Sequence, residues 1–154
     1  MRGQAEFEAI YRRQFATVWN VCLSLLHEPA DTEDMVHDTF LRLLESNKRF
    51  ESEAHEKAWL IVTARNVCRN ELKRSRRRDV PETERADPTP LLDETLLAVR
   101  RLPEKYRLPL YLFYYEGYPS AEIARLLKRT DTAVRSDLRR GRAMLKQELG
   151  GAEE

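Results

Sequence analysis

The stretch EIARLLKRTDTAVRSDLRRGRAML, Glu122 to Leu145, decides how the chain is read. Val134, Leu138, Gly141, Leu145 and Leu149 follow at steps of four, three, four and four, which keeps them on one face of a helix with about 3.6 residues per turn. Arg135, Arg139, Arg142 and Lys146 repeat these steps one residue on, so a basic stripe runs beside the buried one, rotated by about 100°. Ahead of it, Ile123, Ala124 and Leu127 mark the inner face of a shorter helix. Lys128 to Thr130 form the turn, and Thr130 suits the N-cap of the second helix. A helix held by a shorter one, with polar and basic residues at its exposed N-terminal half, is the layout that places side chains in a major groove. Thr130, Thr132, Arg135, Ser136 and Arg139 are then the candidates for base edges and phosphates, and Arg142 and Lys146 for backbone or solvent. A solvated basic helix has the same spacing, so the stripe alone leaves both uses open.

Composition sharpens this. The chain has 154 residues, 34% of them charged, with a formal net charge of +1. The near-neutral sum conceals two basic blocks. Lys57 to Asp79 holds eight basic residues against two acidic ones, and Arg125 to Lys146 again holds eight against two. Two polyanion contacts, or two positive faces of one surface, fit such a layout. Cys22 and Cys68 lack CxxC spacing and sit among apolar residues, which predicts buried reduced thiols rather than zinc or redox chemistry. His27, His37 and His55 are scattered without ligand spacing, and no phosphate-cradling glycine loop occurs, so no catalytic residue, metal or cofactor is expected. With no 18-residue apolar run and no signal-peptide core in MRGQAEFEAI, the expectation is a soluble cytoplasmic protein.

Upstream, Phe7, Ile10, Tyr11, Phe15, Val18, Cys22, Leu25 and Leu26 recur at helical steps and predict an amphipathic helix ending before Pro29. The next helix is expected to open at Asp31 as its cap, with Glu33 and Asp34 near its positive end and Met35, Val36, Phe40, Leu43 and Leu44 buried. SNKRFESEAHE, residues 46–56, reads as a polar connection. A long helix then resumes, with Ala58, Trp59, Val62, Cys68 and Leu72 partly facing a core. Pro81, Pro88 and Pro90 lie among acidic and polar residues and mark a flexible linker over residues 79–90. Beyond it, TLLAVRRLP predicts a short helix. EKYRLPLYLFYYEGY predicts another, kinked at Pro109 or regular only from there, ended by Gly117 and followed by a helix opening at Pro119 or Ser120. With no strand pattern, the expected fold is all-α: two small helical bundles, residues 1–78 and 91–150, the second containing a helix-turn-helix.

LPEKYRLPLYLFYYEGYPSAEIARLLKRTDTAVRSDLRRGRAMLKQEL resembles the C-terminal DNA-binding domain of bacterial sigma-70-type factors, in particular the extracytoplasmic-function (ECF) group. DTEDMVHDTFLRLLE and AWLIVTARNVCRNELKR resemble that group's N-terminal domain, in the same order. The resemblance covers nearly the whole chain. It implies an initiation subunit of RNA polymerase that binds the core enzyme and directs promoter recognition and DNA opening. Asp31, Asp34, His37, Asp38 and Leu41 are the implied contacts to the clamp helices of the largest polymerase subunit. Arg65, Asn66, Arg69 and Lys73 share a helical face and are implied holders of single-strand phosphates at the minus-ten element, while Asn47 and Lys48 are implied to line a pocket for an unstacked base. Trp59 suits a core position as well as a stacking one, and Arg76 to Arg78 suit a solvated helix end as well as a backbone track. The helix-turn-helix is implied to read the minus-thirty-five element. Three residues depart from the family pattern there: Lys128 where glycine is usual, Arg129 where an apolar residue is usual, and Asp137 where a basic one is frequent. The resemblance also implies an anti-sigma partner. The alternative is a helix-turn-helix regulator that acts without docking on polymerase.

Overall fold

The structure is a computed structural model and describes residues 1–26, 29–78 and 94–150. Pro81, Pro88, Pro90, the expected linker 79–90 and His27 lie outside these residues, as do the side chains of Arg76 to Arg78. Among the described residues every element is an α-helix. The chain divides into two compact units, Met1–Pro88 and Thr89–Glu154.

The first unit packs α1 (Gln4–Leu25), α2 (Pro29–Glu45) and α3 (Glu53–Arg78), each against the other two. Ile10, Val18, Val21 and Cys22 of α1 meet Val36, Phe40 and Leu43 of α2 and Leu60, Ile61, Ala64, Val67 and Cys68 of α3 in a dry core. Cys22 and Cys68 are free and buried, and contact between the two thiols, reinforced by burial, holds Cys22 well above its ordinary pKa. Cys22 is thus held as the thiol.

Two expectations change here. Helix α2 opens at Pro29, two residues before Asp31. A proline needs no amide partner in the first turn, so Asp31 lies inside that turn rather than at its cap. Helix α3 opens at Glu53, inside the stretch read as a polar connection. Ser52 Oγ accepts the His55 N–H at 3.1 Å, and Arg13 of α1 grips Glu56 at 2.8 and 2.9 Å through Nη2. Glu56 is buried, so this two-pronged pair ties the first turn of α3 to α1. As expected, Ala58, Trp59, Val62 and Leu72 partly face the core, half-buried beside the fully buried face of Leu60, Ile61, Ala64, Val67 and Cys68. Trp59 packs on Phe50, ring centroids 5.7 Å apart.

The second unit holds α4 (Glu94–Arg100), α5 (Glu104–Tyr114), α6 (Ser120–Leu127) and α7 (Asp131–Gly150). Helix α5 begins five residues before Pro109 and continues through it. The ring falls just past the first turn, where the earlier amides have no intrahelical partner in any case, so a single ladder bond is lost. Across the α4–α5 corner the buried Arg107 Nε donates to the Leu102 carbonyl at 2.7 Å. Gly117, with φ +74°, occupies the left-handed region after α5, and Ser120 opens α6.

Helix α7 presses Val134, Leu138, Gly141 and Leu145 inward. At Gly141 the helices α5 and α7 come so close that a β-carbon would stand 3.0 Å from Leu110 Cδ1 and 3.2 Å from Tyr106 Cβ. A larger side chain must push α5 away. Gly141→Leu is expected to lower stability by about 1 to 3 kcal/mol, measured by urea unfolding, with loss of duplex DNA binding if α7 is displaced.

Candidate nucleic-acid interface

The helix-turn-helix is α6, the turn Lys128–Thr130, and α7. Lys128 has φ 55° and ψ 49°, the left-handed conformation usually given to glycine. Its amide donates to the Arg125 carbonyl at 3.4 Å, and the Arg129 amide reaches back to the Ala124 carbonyl at 2.9 Å. This is the paired closure of a Schellman end, and it satisfies carbonyls that α6 would otherwise leave open. A lysine there costs about 1 kcal/mol of backbone strain relative to glycine, yet the turn keeps the geometry a glycine would take. Thr130 caps α7: its Oγ1 accepts the Ala133 N–H at 3.1 Å, leaving its own hydroxyl hydrogen to donate.

The two remaining departures from the family pattern account for each other. Arg129 Nη1 stands 2.7 Å from Asp137 Oδ2, and Asp137 is only 5% exposed. The approach is off the line of an aligned hydrogen bond, since Oδ2 makes none, so charge holds the pair. Asp137 is therefore turned inward against the turn, and the repulsion of phosphates that its charge suggests does not arise from an exposed carboxylate. The partner arginine is where an apolar residue would otherwise sit.

On the outer side of α7, Thr132, Arg135 and Arg139 are exposed and Ser136 is half-buried. Arg135 Nε lies 3.2 Å from Asp131 Oδ2, one turn back; in solvent such a pair is weak and can exchange for a phosphate. Arg142 is not simply solvated. Its guanidinium lies 5.5 Å from the Phe113 ring centroid and 5.9 Å from that of Tyr114. With Thr95, Tyr114, Tyr115, Leu145 and Lys146 it borders a groove of about 750 Å³ that no spacing in the sequence marks.

In the first unit, α2 carries Asp34, His37 and Leu41 on its exposed side and Asp31 and Asp38 half-buried, a stripe opposite Val36 and Leu43. His37 and Leu41 also line a groove of about 580 Å³ with Phe7, Tyr11, Phe15 and Trp19 of α1. These four rings recur every fourth residue. Phe7 and Phe15 are half-buried and Tyr11 is exposed. On α3, Asn66, Arg69 and Lys73 are exposed and Arg65 half-buried, one turn apart along the helix. Asn47 and Lys48, in the α2–α3 loop, line a polar hollow of about 420 Å³ with Ser46, Arg49 and Phe50 and the first residues of the chain.

Residues 10–78 match the family model of sigma-70 region 2, and residues 92–145 that of sigma-70 region 4. The ECF RNA polymerase sigma factor SigL of Mycobacterium tuberculosis is 30% identical over 162 residues, covering 95% of this chain and 92% of its own length. The chain belongs to the ECF group of sigma-70 factors. It is an RNA polymerase sigma factor, a member of a family of non-enzymatic initiation factors, and the polymerase-independent regulator is not favoured. The "Probable RNA polymerase sigma factor RfaY" of Xanthomonas campestris pv. campestris is 32% identical over 150 residues, 86% of this chain but 38% of that protein's length. Among solved structures, the sigma factor RpoE of Bartonella quintana, in complex with the anti-sigma factor NepR, shares the fold with a TM-score of 0.78 at 22% identity, over 94% of this chain and 97% of that one.

The Arg129–Asp137 pair is expected to behave as one unit in this sigma factor. A double-mutant cycle of Arg129→Ala and Asp137→Ala, followed by thermal unfolding, should give a coupling energy of about 1 to 2 kcal/mol, with Asp137→Ala tolerated better once Arg129 is gone.

Proposed function

We propose that this sigma factor docks on RNA polymerase core through the acidic stripe of α2 and on promoter DNA through α3, its preceding loop and α7. The reading rests on one observation above the rest. The exposed charges of α2 are mainly acidic, Glu33, Asp34 and Glu45 against Arg42, while those described on α3 after Glu53 and on α7 as far as Lys146 are basic, so each helix offers a face of predominantly one sign beside its buried face.

Asp31, Asp34, His37, Asp38 and Leu41 are the polymerase contacts in this reading, on the clamp helices of the largest subunit. Leu41, 40% exposed, supplies apolar area amid the carboxylates. Arg65, Asn66, Arg69 and Lys73 hold phosphates of the opened non-template strand at the minus-ten element, and the hollow at Asn47 and Lys48 receives an unstacked base. Thr130, Thr132, Arg135, Ser136 and Arg139 meet the minus-thirty-five duplex. The chain performs no bond chemistry and needs no cofactor. It contributes binding energy that favours an opened duplex over a closed one. Work of this kind belongs in the cytoplasm; among the described residues no helix is long and apolar enough to cross a membrane.

An anti-sigma protein belongs to the same reading. The Bartonella protein of similar fold is held by one. A partner that covers the faces of α2, α3 or α7 would block initiation by occupying them.

Purified RNA polymerase core should be captured by this chain, and the double reversal Asp34→Arg with Asp38→Arg should weaken capture roughly tenfold or more without unfolding the protein or abolishing duplex binding by α7. Equal capture by the reversed chain would remove α2 as the docking face.

A further inference from the structure

The N-terminal segment is fastened to the α2–α3 loop by a side chain to which no role has been given. Arg2 is only 8% exposed although it is charged and precedes the first helix. Its Nε donates to the Leu43 carbonyl at 3.2 Å, and its backbone amide donates to the Leu44 carbonyl at 2.8 Å. Both carbonyls belong to the last turn of α2, where that of Leu43 also shares the Ser46 amide at 3.2 Å and where a positive charge meets the negative end of the helix. From there Nη2 reaches past the helix end to the Lys48 carbonyl at 2.6 Å. Nη1 pairs with Glu6 Oε1 at 2.6 Å, which aims the fork, and the guanidinium lies 5.2 Å from the centroid of the Phe50 ring. Phe50 in turn packs on His55 and Trp59 of α3.

One planar group thus spans the end of α2, the middle of the loop and the ring that joins the loop to α3. We propose that Arg2 is a positioning residue for base capture, holding the loop of Asn47 and Lys48 in the shape that receives an unstacked base. The inference rests on the reading of that loop as part of the minus-ten surface. Arg2 itself has its donors committed to Leu43, Lys48 and Glu6, so its effect passes through the loop rather than through contact with DNA. Three nitrogens in a fixed fork are needed for this, and a lysine offers a single nitrogen that cannot reach the three acceptors together.

The test uses holoenzyme reconstituted from the full chain and RNA polymerase core, with core alone as background, and fluorescence anisotropy of short single-stranded homopolymers of dA, dC and dT at one salt concentration. The wild type is expected to favour one homopolymer by roughly tenfold, as a pocket for a single base allows. Arg2→Ala and Arg2→Lys should both reduce that preference to below about threefold while core affinity and binding of a duplex stay unchanged. General destabilisation would lower all affinities together and leave the ratio where it was. A preference retained in both variants, with the proteins folded, overturns the role of Arg2 and leaves the loop as the base-capturing surface. A wild type that binds no homopolymer better than core alone instead overturns the reading of the loop, and the role of Arg2 with it.

Discussion

The close approach of α7 to α5 at Gly141 is the constraint on which the C-terminal unit depends. A helix that carries so many arginines stays attached to a small domain only if its apolar face is fully used, and the missing side chain at Gly141 lets Leu110 and Tyr106 fill that face from the other side. Once Val134, Leu138, Gly141 and Leu145 are inward, helical geometry puts Arg135 and Arg139 outward one residue on. The position of the basic stripe is a consequence of the packing of the apolar one. The same division governs α2 and α3, where Val36, Phe40 and Leu43, and Leu60, Ile61, Ala64 and Val67, leave carboxylates and basic residues respectively on the far sides.

Charge is handled differently inside and outside these bundles. Outside, pairs such as Arg135 with Asp131 are solvated and replaceable, which suits a surface meant to change partners. Against buried acceptors, arginines fix the chain: the buried Arg2 grips the end of α2, while the exposed Arg13 and Arg129 grip the buried Glu56 at the start of α3 and the buried Asp137 beside the turn. Each fixes a junction between helices rather than the middle of one. These junctions carry the loop before α3 and the entry into α7, which the proposed reading places against nucleic acid.

Periodic helices were the part most readable in the sequence. The buried face of α7 and the turn before it follow from spacing and capping preference, and the structure puts Thr130 at the cap as those preferences require. What local pattern could not carry was set by residues distant in the chain. The first turn of α3 has no apolar period, and it is helical because Ser52 caps it and Arg13, 43 positions earlier than Glu56, neutralises its buried carboxylate. Arg129 and Asp137 each looked anomalous alone and make sense only together. The aromatic groove of Phe7, Tyr11, Phe15 and Trp19 was not legible, because helical spacing does not say whether a second layer covers the rings. The family itself was legible, since motifs in both units fell in order, while the roles of single residues rest on the faces they occupy.

The central claim is that this chain makes RNA polymerase start at particular promoters. It is tested most directly by transcribing genomic DNA of the source organism in vitro with core polymerase, with and without the protein, and mapping the 5′ ends. The account predicts a discrete set of new start sites, used only when the protein is present, that share one duplex motif near minus thirty-five and one melted motif near minus ten. A pattern of 5′ ends identical to that of core polymerase alone would contradict it.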